Sequence, residues 1–392
     1  MENVLTVIAE YNPIHFGHLY QLEESIKMIN PKYKVAIISG NFVQRGEPSM
    51  LNKWEKAKIA LHYGFDLVIE LPTVYAISSA ENFASGAVKI ASQIGTTHLS
   101  FGTEIGDIER LKEFSELVDS TPEFMEKVKE YIAKGFSYPK SQELVIEELF
   151  WDEFKGICTP NNILGLEYLR AIDKFTPDIT PITVKRNNNY VSSSKIRELI
   201  RSYEAIDEYV PDFAQDILEE NQNNGTVVYS LKEFEKEIIY NIRRMSFADF
   251  DNVPDVSENM IKKIKKAASI CNSIDDLILE IKNKSITQAR IQRILLYILL
   301  GITKNDMSIS KNVIPYIRVL GMSKDGKQLL SSVSNKNHDI VTSVKSYEGR
   351  CNNSALRSLL DIDKFATDVY TLSYEKNSKA NLDYTSRVID WF

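Results

Sequence analysis

The chain has 392 residues, of which 43% are hydrophobic and 26% are charged, and its formal net charge is −7. This composition is typical of a globular protein and excludes disorder as the default state, and the length allows two or three domains. A negative net charge excludes a general polycation, so any nucleic-acid partner needs a local basic surface.

The cysteines and the apolar runs bear on localisation. Three widely spaced cysteines, Cys158, Cys271 and Cys351, fit neither a disulfide framework nor a zinc site and favour a reducing cytosol. The first residues do not have the pattern of a signal peptide, and the longest apolar run, residues 294–300, is too short to span a bilayer. We therefore expect a cytoplasmic protein with no membrane partner.

The first hundred residues alternate between strand-like and helix-like patterns. Short apolar runs predict strands at residues 4–9, 35–38, 66–71 and 97–101. Amphipathic stretches between them predict helices at about 17–30, 53–63 and 79–94. Apolar strands separated by amphipathic helices are typical of a parallel sheet covered on both faces. With right-handed crossovers, the pattern predicts an α/β fold with a Rossmann-like, doubly wound sheet.

The sequence predicts how this first domain ends. Residues 107–150 have the pattern of acidic, polar helices and are interpreted as an insertion, and residues 182–185 are interpreted as the last strand. A further helix is expected from Ser193. We expect a catalytic domain over residues 1–205.

The second half of the chain has a mostly helical pattern. Beyond about residue 205 the strand signals fade, and helical periodicity dominates residues 231–300 and 354–373. We expect a mostly α-helical domain over residues 206–392.

The motif His15-Phe16-Gly17-His18 lies between the first strand and the first helix, where open α/β sheets bind ligands. A helix N-terminus attracts phosphate through its unpaired N–H groups, and Gly17 lets a nucleotide approach the backbone closely. The imidazole N–H groups of His15 and His18 can stabilise charge that develops on an α-phosphorus and on departing pyrophosphate. We predict that both histidines are catalytic, the alternative being two surface histidines at a helix start.

A second motif, Ser192-Ser193-Ser194-Lys195-Ile196-Arg197, opens the helix predicted after the last strand. Taken alone, the motif indicates a plain capped helix rather than a phosphate-binding site, because serines are ordinary N-caps. Cations in a first helical turn oppose the helix dipole unless they hold an anion. Together with HxGH, the motif predicts that the serines, Lys195 and Arg197 hold the β- and γ-phosphates, with both cations catalytic.

Several other charged residues have two interpretations. Arg45 and Lys53 follow the second strand and either reach phosphate or RNA or are solvated surface charges. Asp66 and Glu70 flank a strand and are interpreted as structural, whereas Glu10 either orders the site or a metal or has a capping role. No residue is predicted as a metal ligand.

Residues 7–21, 39–48 and 66–72 resemble the tRNA(Met) cytidine acetate ligase family of the HxGH nucleotidyl transferase superfamily. Further matches are residues 101–104, 161–165 and 318–321, so the resemblance spans nearly the whole chain. One departure is the short segment 187–191, where a longer loop containing glycine is expected in the family.

The resemblance implies a two-step reaction. ATP and acetate form acetyl-adenylate, and the acetyl group then passes to N4 of the wobble cytidine in the anticodon loop of elongator tRNA(Met). Acetate is already an anion, so the first step needs neutralised phosphates and in-line placement rather than a general base, and we expect Mg²⁺ to take part.

The resemblance also implies ATP contacts along the segment 7–20, at Gly102, at Asn161 or Asn162, and at Lys185 and Arg186. With the serines of the second motif, the nucleotide-binding residues are Val7, Ile8, Ala9, Glu10, Tyr11, Asn12, Pro13, Ile14, Phe16, Gly17, Leu19, Tyr20, Gly102, Asn161, Asn162, Lys185, Arg186, Ser192, Ser193 and Ser194.

A local basic stretch lies within residues 261–293 of this acidic chain. Such asymmetry suits contact with an RNA backbone, although a solvated face of amphipathic helices is the alternative. The predicted RNA-binding residues are Lys262, Lys263, Lys265, Lys266, Lys284, Arg290 and Arg293, and Arg243 and Arg244 are possible extensions.

Two other functions stay open from sequence. One is an adenylyl- or cytidylyltransferase that acts on a small phosphate-bearing acceptor, in the manner of a nicotinate mononucleotide adenylyltransferase. The other is a non-catalytic RNA-binding protein with a vestigial nucleotide fold. The large helical second half argues against the former, and the intact motif residues argue against the latter. The sequence predicts no oligomeric state.

Overall fold

The structure is a computed structural model that describes residues 2–150, 154–334 and 338–392. Its strands are Val4–Ala9 (β1), Tyr33–Ser39 (β2), Phe42–Val43 (β3), Glu47–Pro48 (β4), Leu67–Leu71 (β5), His98–Thr103 (β6), Thr180–Lys185 (β7), Ile317–Ser323 (β8), Ile340–Val341 (β9) and Ile389–Trp391 (β10).

The α-helices of the described residues are Phe16–Ile29, Lys53–His62, Thr73–Ala76, Ala80–Gln93, Ile108–Ser120, Pro122–Ala133, Tyr138–Leu149, Pro160–Phe175, Ser193–Arg201, Asp212–Asn224, Glu235–Arg244, Phe247–Asp251, Glu258–Ile270, Ile274–Ile281, Gln288–Leu300, Lys304–Asn312, Lys324–Ser334, Val344–Arg350, Ser354–Tyr370 and Leu382–Thr385. Short 3-10 helices lie at Leu231–Phe234 and Thr371–Ser373. None of these helices combines the length and the apolar character that crossing a membrane requires.

The centre of the described structure is one sheet in the order β10-β8-β5-β2-β1-β6-β7, with β9 beside β8. Within this sheet the five neighbouring strands β5, β2, β1, β6 and β7 are parallel. Their order is that of a Rossmann sheet, so the predicted α/β fold is confirmed. The chain runs outward from β1 through β2 to β5 on one side and then returns to β6 and β7 on the other side of β1. The carboxyl ends of β1 and β6 therefore open a crevice at this switch point, where doubly wound sheets bind ligands.

Both faces of the sheet are covered, because successive side chains along each buried strand point to opposite faces. In β1, Leu5 and Val7 pack with the layer that contains helices Phe16–Ile29 and Lys53–His62. Val4 and Ile8 pack with the opposite layer, which contains helices Ala80–Gln93 and Pro160–Phe175. The first motif and the helix Pro160–Phe175 thus approach the same sheet edge from opposite faces.

The interpretation of residues 182–185 as the last strand is wrong, because three further strands follow among the described residues of the mostly α-helical second half. β8 joins the same sheet antiparallel to β5, and β9 and β10 pair parallel with β8. The pattern was obscured because β8 contains Arg318 and Gly321 within a short apolar run. Helices between residues 231 and 300 supply most of a second hydrophobic cluster, which also includes Phe42, Ile77 and residues of the helix Ser354–Tyr370. The boundary between the two predicted domains stays a prediction.

A buried cluster of charges explains Arg318 and corrects the expectation for Lys53. The Lys53 ammonium lies 2.9 Å from the Glu70 carboxylate and 2.8 Å from that of Asp383, and the Arg318 guanidinium lies 3.2 Å from Asp383. All four side chains are buried, so Lys53 reaches neither phosphate nor RNA and is not a solvated surface charge either. The cluster ties the helix Leu382–Thr385 to β5 and β8, and it confirms the structural interpretation of Glu70.

We expect Lys53→Met to lower the free energy of unfolding by about 3–5 kcal/mol, because it leaves buried carboxylates without their main counter-charge. Lys58→Met, which removes a partly exposed pair with Glu55 on the same helix, should change it by only about 0–1 kcal/mol. Urea unfolding followed by circular dichroism measures both values. Equal stabilities of the two variants would contradict a stabilising role for the cluster.

Candidate active site

A cavity of about 460 Å³ opens at the carboxyl ends of β1, β6 and β7. The first motif lines it with His15, Gly17 and His18, and the second motif lines it with Ser192–Ser194 and Arg197. The two predicted motifs therefore face one crevice, as the sequence analysis required. The described residues that line it include four cationic side chains, Arg45, Lys185, Arg186 and Arg197, and one carboxylate, Glu10.

The two histidines form a reciprocal cap at the start of the first helix. The Gly17 N–H donates to His15 Nδ1 at 3.1 Å, and the His15 N–H donates to His18 Nδ1 at 3.2 Å. The rings stack with their centroids 3.8 Å apart. Because each Nδ1 accepts from the backbone, each neutral ring carries its proton on Nε2 and offers that group as a donor.

Burial keeps both rings neutral at physiological pH. It lowers the pKa of His15 to about 4, with a further contribution from the Arg186 charge. Burial also lowers the pKa of His18 well below its ordinary value, assisted by His15 and Arg186. As neutral rings the pair can offer N–H donors to anionic oxygen but no positive charge, and its catalytic role stays a prediction.

Arg197 connects the second motif to the loop before the first helix. Its guanidinium donates to the Asn12 carbonyl at 2.9 Å, to the Glu47 carboxylate at 3.0 Å and to the Ser194 hydroxyl at 3.3 Å. Its Nε is buried without a hydrogen-bond partner among the described residues. The residue also lines the cavity, where a guanidinium can donate to an anionic ligand.

The serines and Arg45 complete this side of the cavity. Ser192 is the N-cap, and its hydroxyl accepts from the Lys195 N–H at 3.3 Å. The exposed Arg45 guanidinium donates to the Ser194 hydroxyl at 3.3 Å and lines the cavity, and its contact with phosphate or RNA stays a prediction.

Asn161 and Asn162, either of which was expected to contact ATP, have different positions in the structure. The Asn161 amide lines the cavity and donates to the Glu104 carboxylate at 2.6 Å. The Asn162 side chain is buried and accepts from the Glu104 N–H at 3.0 Å, so it shapes the loop after β6. Arg186 lies 3.6 Å from the same carboxylate and also lines the cavity.

Lys195 is not brought into the cavity. Its ammonium pairs with Glu198 at 3.0 Å on the exposed face of the helix, with 53% of the side chain accessible. Other predicted residues also lie behind the cavity wall. Val7, Ile14 and Leu19 pack in the core, whereas Asn12 accepts from the Met50 N–H at 2.8 Å and fixes the loop. The predicted nucleotide contacts outside the lining are Val7, Asn12, Pro13, Ile14, Phe16, Leu19 and Asn162.

The apolar half of the lining was missed by the sequence analysis. Phe83, Phe101, Leu164 and Tyr168 come from the sheet face opposite the HxGH helix, and the rings of Phe101 and Tyr168 lie 5.3 Å apart. Their helical or strand spacing is that of ordinary core residues, so no local signal distinguishes them. Their position at the carboxyl end of the sheet is what makes them part of the site.

Lys56 fixes the main chain of two loops that border the site. Its buried ammonium donates to the carbonyls of Glu10 at 3.0 Å, Ser39 at 2.7 Å and Gly40 at 2.8 Å. These carbonyls lie at the ends of β1 and β2, so one side chain fixes both loops. Burial lowers the pKa of Lys56 to about 7.

The predicted RNA-binding patch is only partly available. Lys262 pairs with Glu258 and Arg290 pairs with Asp255, while the ammonium groups of Lys263 and Lys265 donate to main-chain carbonyls. Arg293 donates to the Gln44 carbonyl at 3.4 Å, beside the cavity. Lys266 and Lys284 are exposed, and no ion pair of their side chains occurs among the described residues.

A family model described as HIGH Nucleotidyl Transferase matches residues 1–384. Fold and site therefore define a nucleotidyl transferase of the HIGH class. The chain is 42% identical to a protein of Caldanaerobacter subterraneus subsp. tengcongensis named tRNA(Met) cytidine acetate ligase, covering 98% of this chain and 99% of the relative. A protein of the same name from Thermoanaerobacter sp. is 38% identical over the same shares of the two chains. The chain belongs to the tRNA(Met) cytidine acetate ligase family.

Solved structures agree with this assignment. The chain superposes on Thermotoga maritima TmcAL bound with alpha-thio ATP with a TM-score of 0.92 and 30% identity, covering 99% of each chain. The apo form of the same protein also gives a TM-score of 0.92, at 29% identity.

The contrast between Arg197 and Lys195 is testable with ATP as the probe. We expect Arg197→Met to weaken ATP binding by at least about tenfold, because charge-assisted contacts contribute about 1.5–3 kcal/mol. Lys195→Met on the same helix should change it by less than about threefold, since an exposed lysine contributes little. Isothermal titration calorimetry measures both constants. A larger loss for Lys195→Met would restore the predicted role of Lys195.

Proposed function

We propose that the protein is an ATP-dependent acetate ligase that acetylates N4 of the wobble cytidine of elongator tRNA(Met). The observation that carries this proposal is the single cavity in which the HxGH motif and the Ser192–Arg197 segment face each other. The family supplies the substrate class through the names of its members, and the ATP analogue bound to the Thermotoga maritima protein supports ATP as the nucleotide.

In the first step, an acetate oxygen attacks the α-phosphorus of ATP and pyrophosphate leaves. Acetate is already a nucleophilic anion, so the protein's task is placement and charge stabilisation. The Nε2–H groups of His15 and His18 donate to oxygens on which negative charge grows, and Arg197 and the N-terminus of its helix hold the departing phosphates.

In the second step, the cytidine amine attacks the acetyl carbonyl carbon and AMP leaves. The base must be splayed out of a single-stranded loop to reach the cavity. Arg293 and Gln44 place the helical half of the chain directly beside the cavity, so RNA held on that half can present its loop to the site. We propose Lys266 and Lys284 as the available backbone contacts of the predicted patch.

Mg²⁺ belongs to the proposal as a companion of the triphosphate. The described residues contain no cluster of three carboxylate, histidine or cysteine side chains that would cage a metal. Mg²⁺ bound mainly by phosphates and water needs no such cage. A tRNA substrate and three free cysteines favour the cytoplasm as the site of action.

The function is tested by incubating the protein with ATP, radiolabelled acetate and unmodified elongator tRNA(Met), without coenzyme A. We expect label in the RNA and acetate-dependent exchange of pyrophosphate into ATP. His18→Ala should reduce this exchange about 100-fold or more, because a donor to the developing charge is lost, while tRNA binding persists. His98→Ala is the matched control, since His98 lies at the opposite end of β6 from the cavity. Exchange with a mononucleotide but not with acetate would indicate the alternative transferase function.

The RNA contact is tested separately. We expect the double charge reversal Lys266→Glu and Lys284→Glu to weaken tRNA binding and to flatten its dependence on salt, because fewer counterions are released. Lys262→Glu, at a residue already paired with Glu258, should have the smaller effect. Filter binding at several salt concentrations gives both quantities. An unchanged affinity would remove the patch from the RNA-binding surface.

A further inference from the structure

Acetyl transfer requires a proton acceptor that the first step does not. Given the proposed function, on which this inference rests, the cytidine amine becomes positively charged as it bonds to the acetyl carbon and must lose a proton. A side chain that accepts this proton must line the cavity and must be unprotonated before the transfer.

The histidines do not meet this requirement. Both Nδ1 atoms accept main-chain N–H groups, so in the neutral rings both Nε2 atoms carry the protons. Each ring can therefore donate through Nε2 but has no free lone pair to accept a proton.

The other titratable groups of the lining are excluded by their charge state. A tyrosine phenol is protonated at neutral pH, which excludes the four tyrosines of the lining, and burial raises the pKa of Tyr11 and of Tyr168 further. The lysine and arginine side chains are cations and have no lone pair to offer. Among the described residues that line the cavity, Glu10 alone carries a carboxylate.

The position of Glu10 suits such a role. It follows the last residue of β1, directly before the HxGH loop, and it is half-buried at the cavity wall. One carboxylate oxygen accepts the Gln44 N–H at 2.8 Å, which fixes the orientation of the group. The structure shows no other hydrogen bond to this carboxylate from any described residue, so its second oxygen keeps free lone pairs.

Neighbouring cations do not neutralise Glu10 by direct contact. Arg45 donates to Ser194, Arg197 donates to Asn12, Glu47 and Ser194, and Lys56 donates to main-chain carbonyls. No ion pair joins any of these cations to Glu10 within the described structure. The carboxylate is thus oriented by Gln44 and forms no ion pair with a described residue.

We propose that Glu10 is the catalytic base of acetyl transfer. As N4 of the cytidine bonds to the acetyl carbonyl carbon, the bond from that carbon to the AMP phosphate oxygen breaks. The N4 proton passes to the carboxylate oxygen of Glu10 that Gln44 does not hold. The products are N4-acetylcytidine, AMP and protonated Glu10, which then returns its proton to solvent.

Burial raises the pKa of Glu10, and Arg45, Arg197 and Lys56 oppose that shift. A raised pKa makes the carboxylate a stronger base than an exposed glutamate, while the surrounding positive charges favour its ionised form.

The test separates the two half-reactions. Glu10→Gln keeps the size of the side chain and an oxygen that can accept the Gln44 N–H, but it cannot take up the proton. We expect acetate-dependent pyrophosphate exchange to fall by far less than acetyl transfer does, because adenylate formation from acetate and ATP releases no proton. Single-turnover transfer from the enzyme-bound acetyl-adenylate to tRNA should fall by about 100-fold or more, the usual contribution of a general base.

Two further variants sharpen the result. Glu10→Asp restores a carboxylate on a shorter side chain, and we expect it to transfer at least about tenfold faster than Glu10→Gln, within the range that a base contributes. Glu81→Gln removes an exposed charge beside the cavity-lining Ala80 and should match the wild type in both half-reactions.

Three outcomes would overturn the inference. Transfer by Glu10→Gln at the wild-type rate would show that no carboxylate is needed. Loss of pyrophosphate exchange together with transfer would assign Glu10 to adenylate formation, and a loss of tRNA affinity that accounts for the slower transfer would assign it to RNA binding. Absence of acetate-dependent exchange in the wild-type protein would instead defeat the proposed function itself.

Discussion

The contacts of Arg197 hold together the part of the molecule on which the site depends. A single buried guanidinium binds the carbonyl of Asn12 in the first motif's loop, the carboxylate of Glu47 in β4 and the hydroxyl of Ser194 in the second motif. These segments come from three separate parts of the chain. Because the guanidinium has a fixed planar shape, it sets the distance between two helix N-termini that would otherwise be independent.

Two lysines one helical turn apart show how the same residue type takes two structural roles. Lys53 lies between buried carboxylates, and its interactions with Asp383 and Glu70 raise its pKa against the cost of burial. Lys56 instead meets three main-chain carbonyls, and burial lowers its pKa to about 7. Lys53 thus ties the C-terminal segment to the sheet, while Lys56 holds the loops that carry Glu10. The helix Lys53–His62 connects overall stability to the geometry of the site.

The sequence predicts the parts of this protein that depend on local pattern. The strands from β1 to β7 that form the parallel core, the two helix starts and the shared crevice follow from apolar periodicity, capping residues and the HxGH spacing. β8 was missed because Arg318 interrupts its apolar run. The arginine can be buried because it donates to Asp383, which lies 65 residues away in the chain and has no local sequence signal. Lys195 and Arg197 are both cations and lie two residues apart, so the sequence does not distinguish them. They point to different faces of the helix, and only the face that carries Arg197 is turned toward the cavity.

The charges in the cavity also separate the proposed function from the transferase alternative. An enzyme that acts on a phosphate-bearing acceptor must hold a second phosphate beside the triphosphate. Two of the four cations that line the cavity are close to carboxylates, because Arg197 pairs with Glu47 and Arg186 lies near Glu104. Less positive charge is therefore available for a second phosphate than the number of cations alone indicates. The Glu10 carboxylate, directly before the HxGH loop, would repel a second phosphate. A cytidine amine is a neutral hydrogen-bond donor, so the same carboxylate that disfavours a phosphate acceptor is suited to an amine.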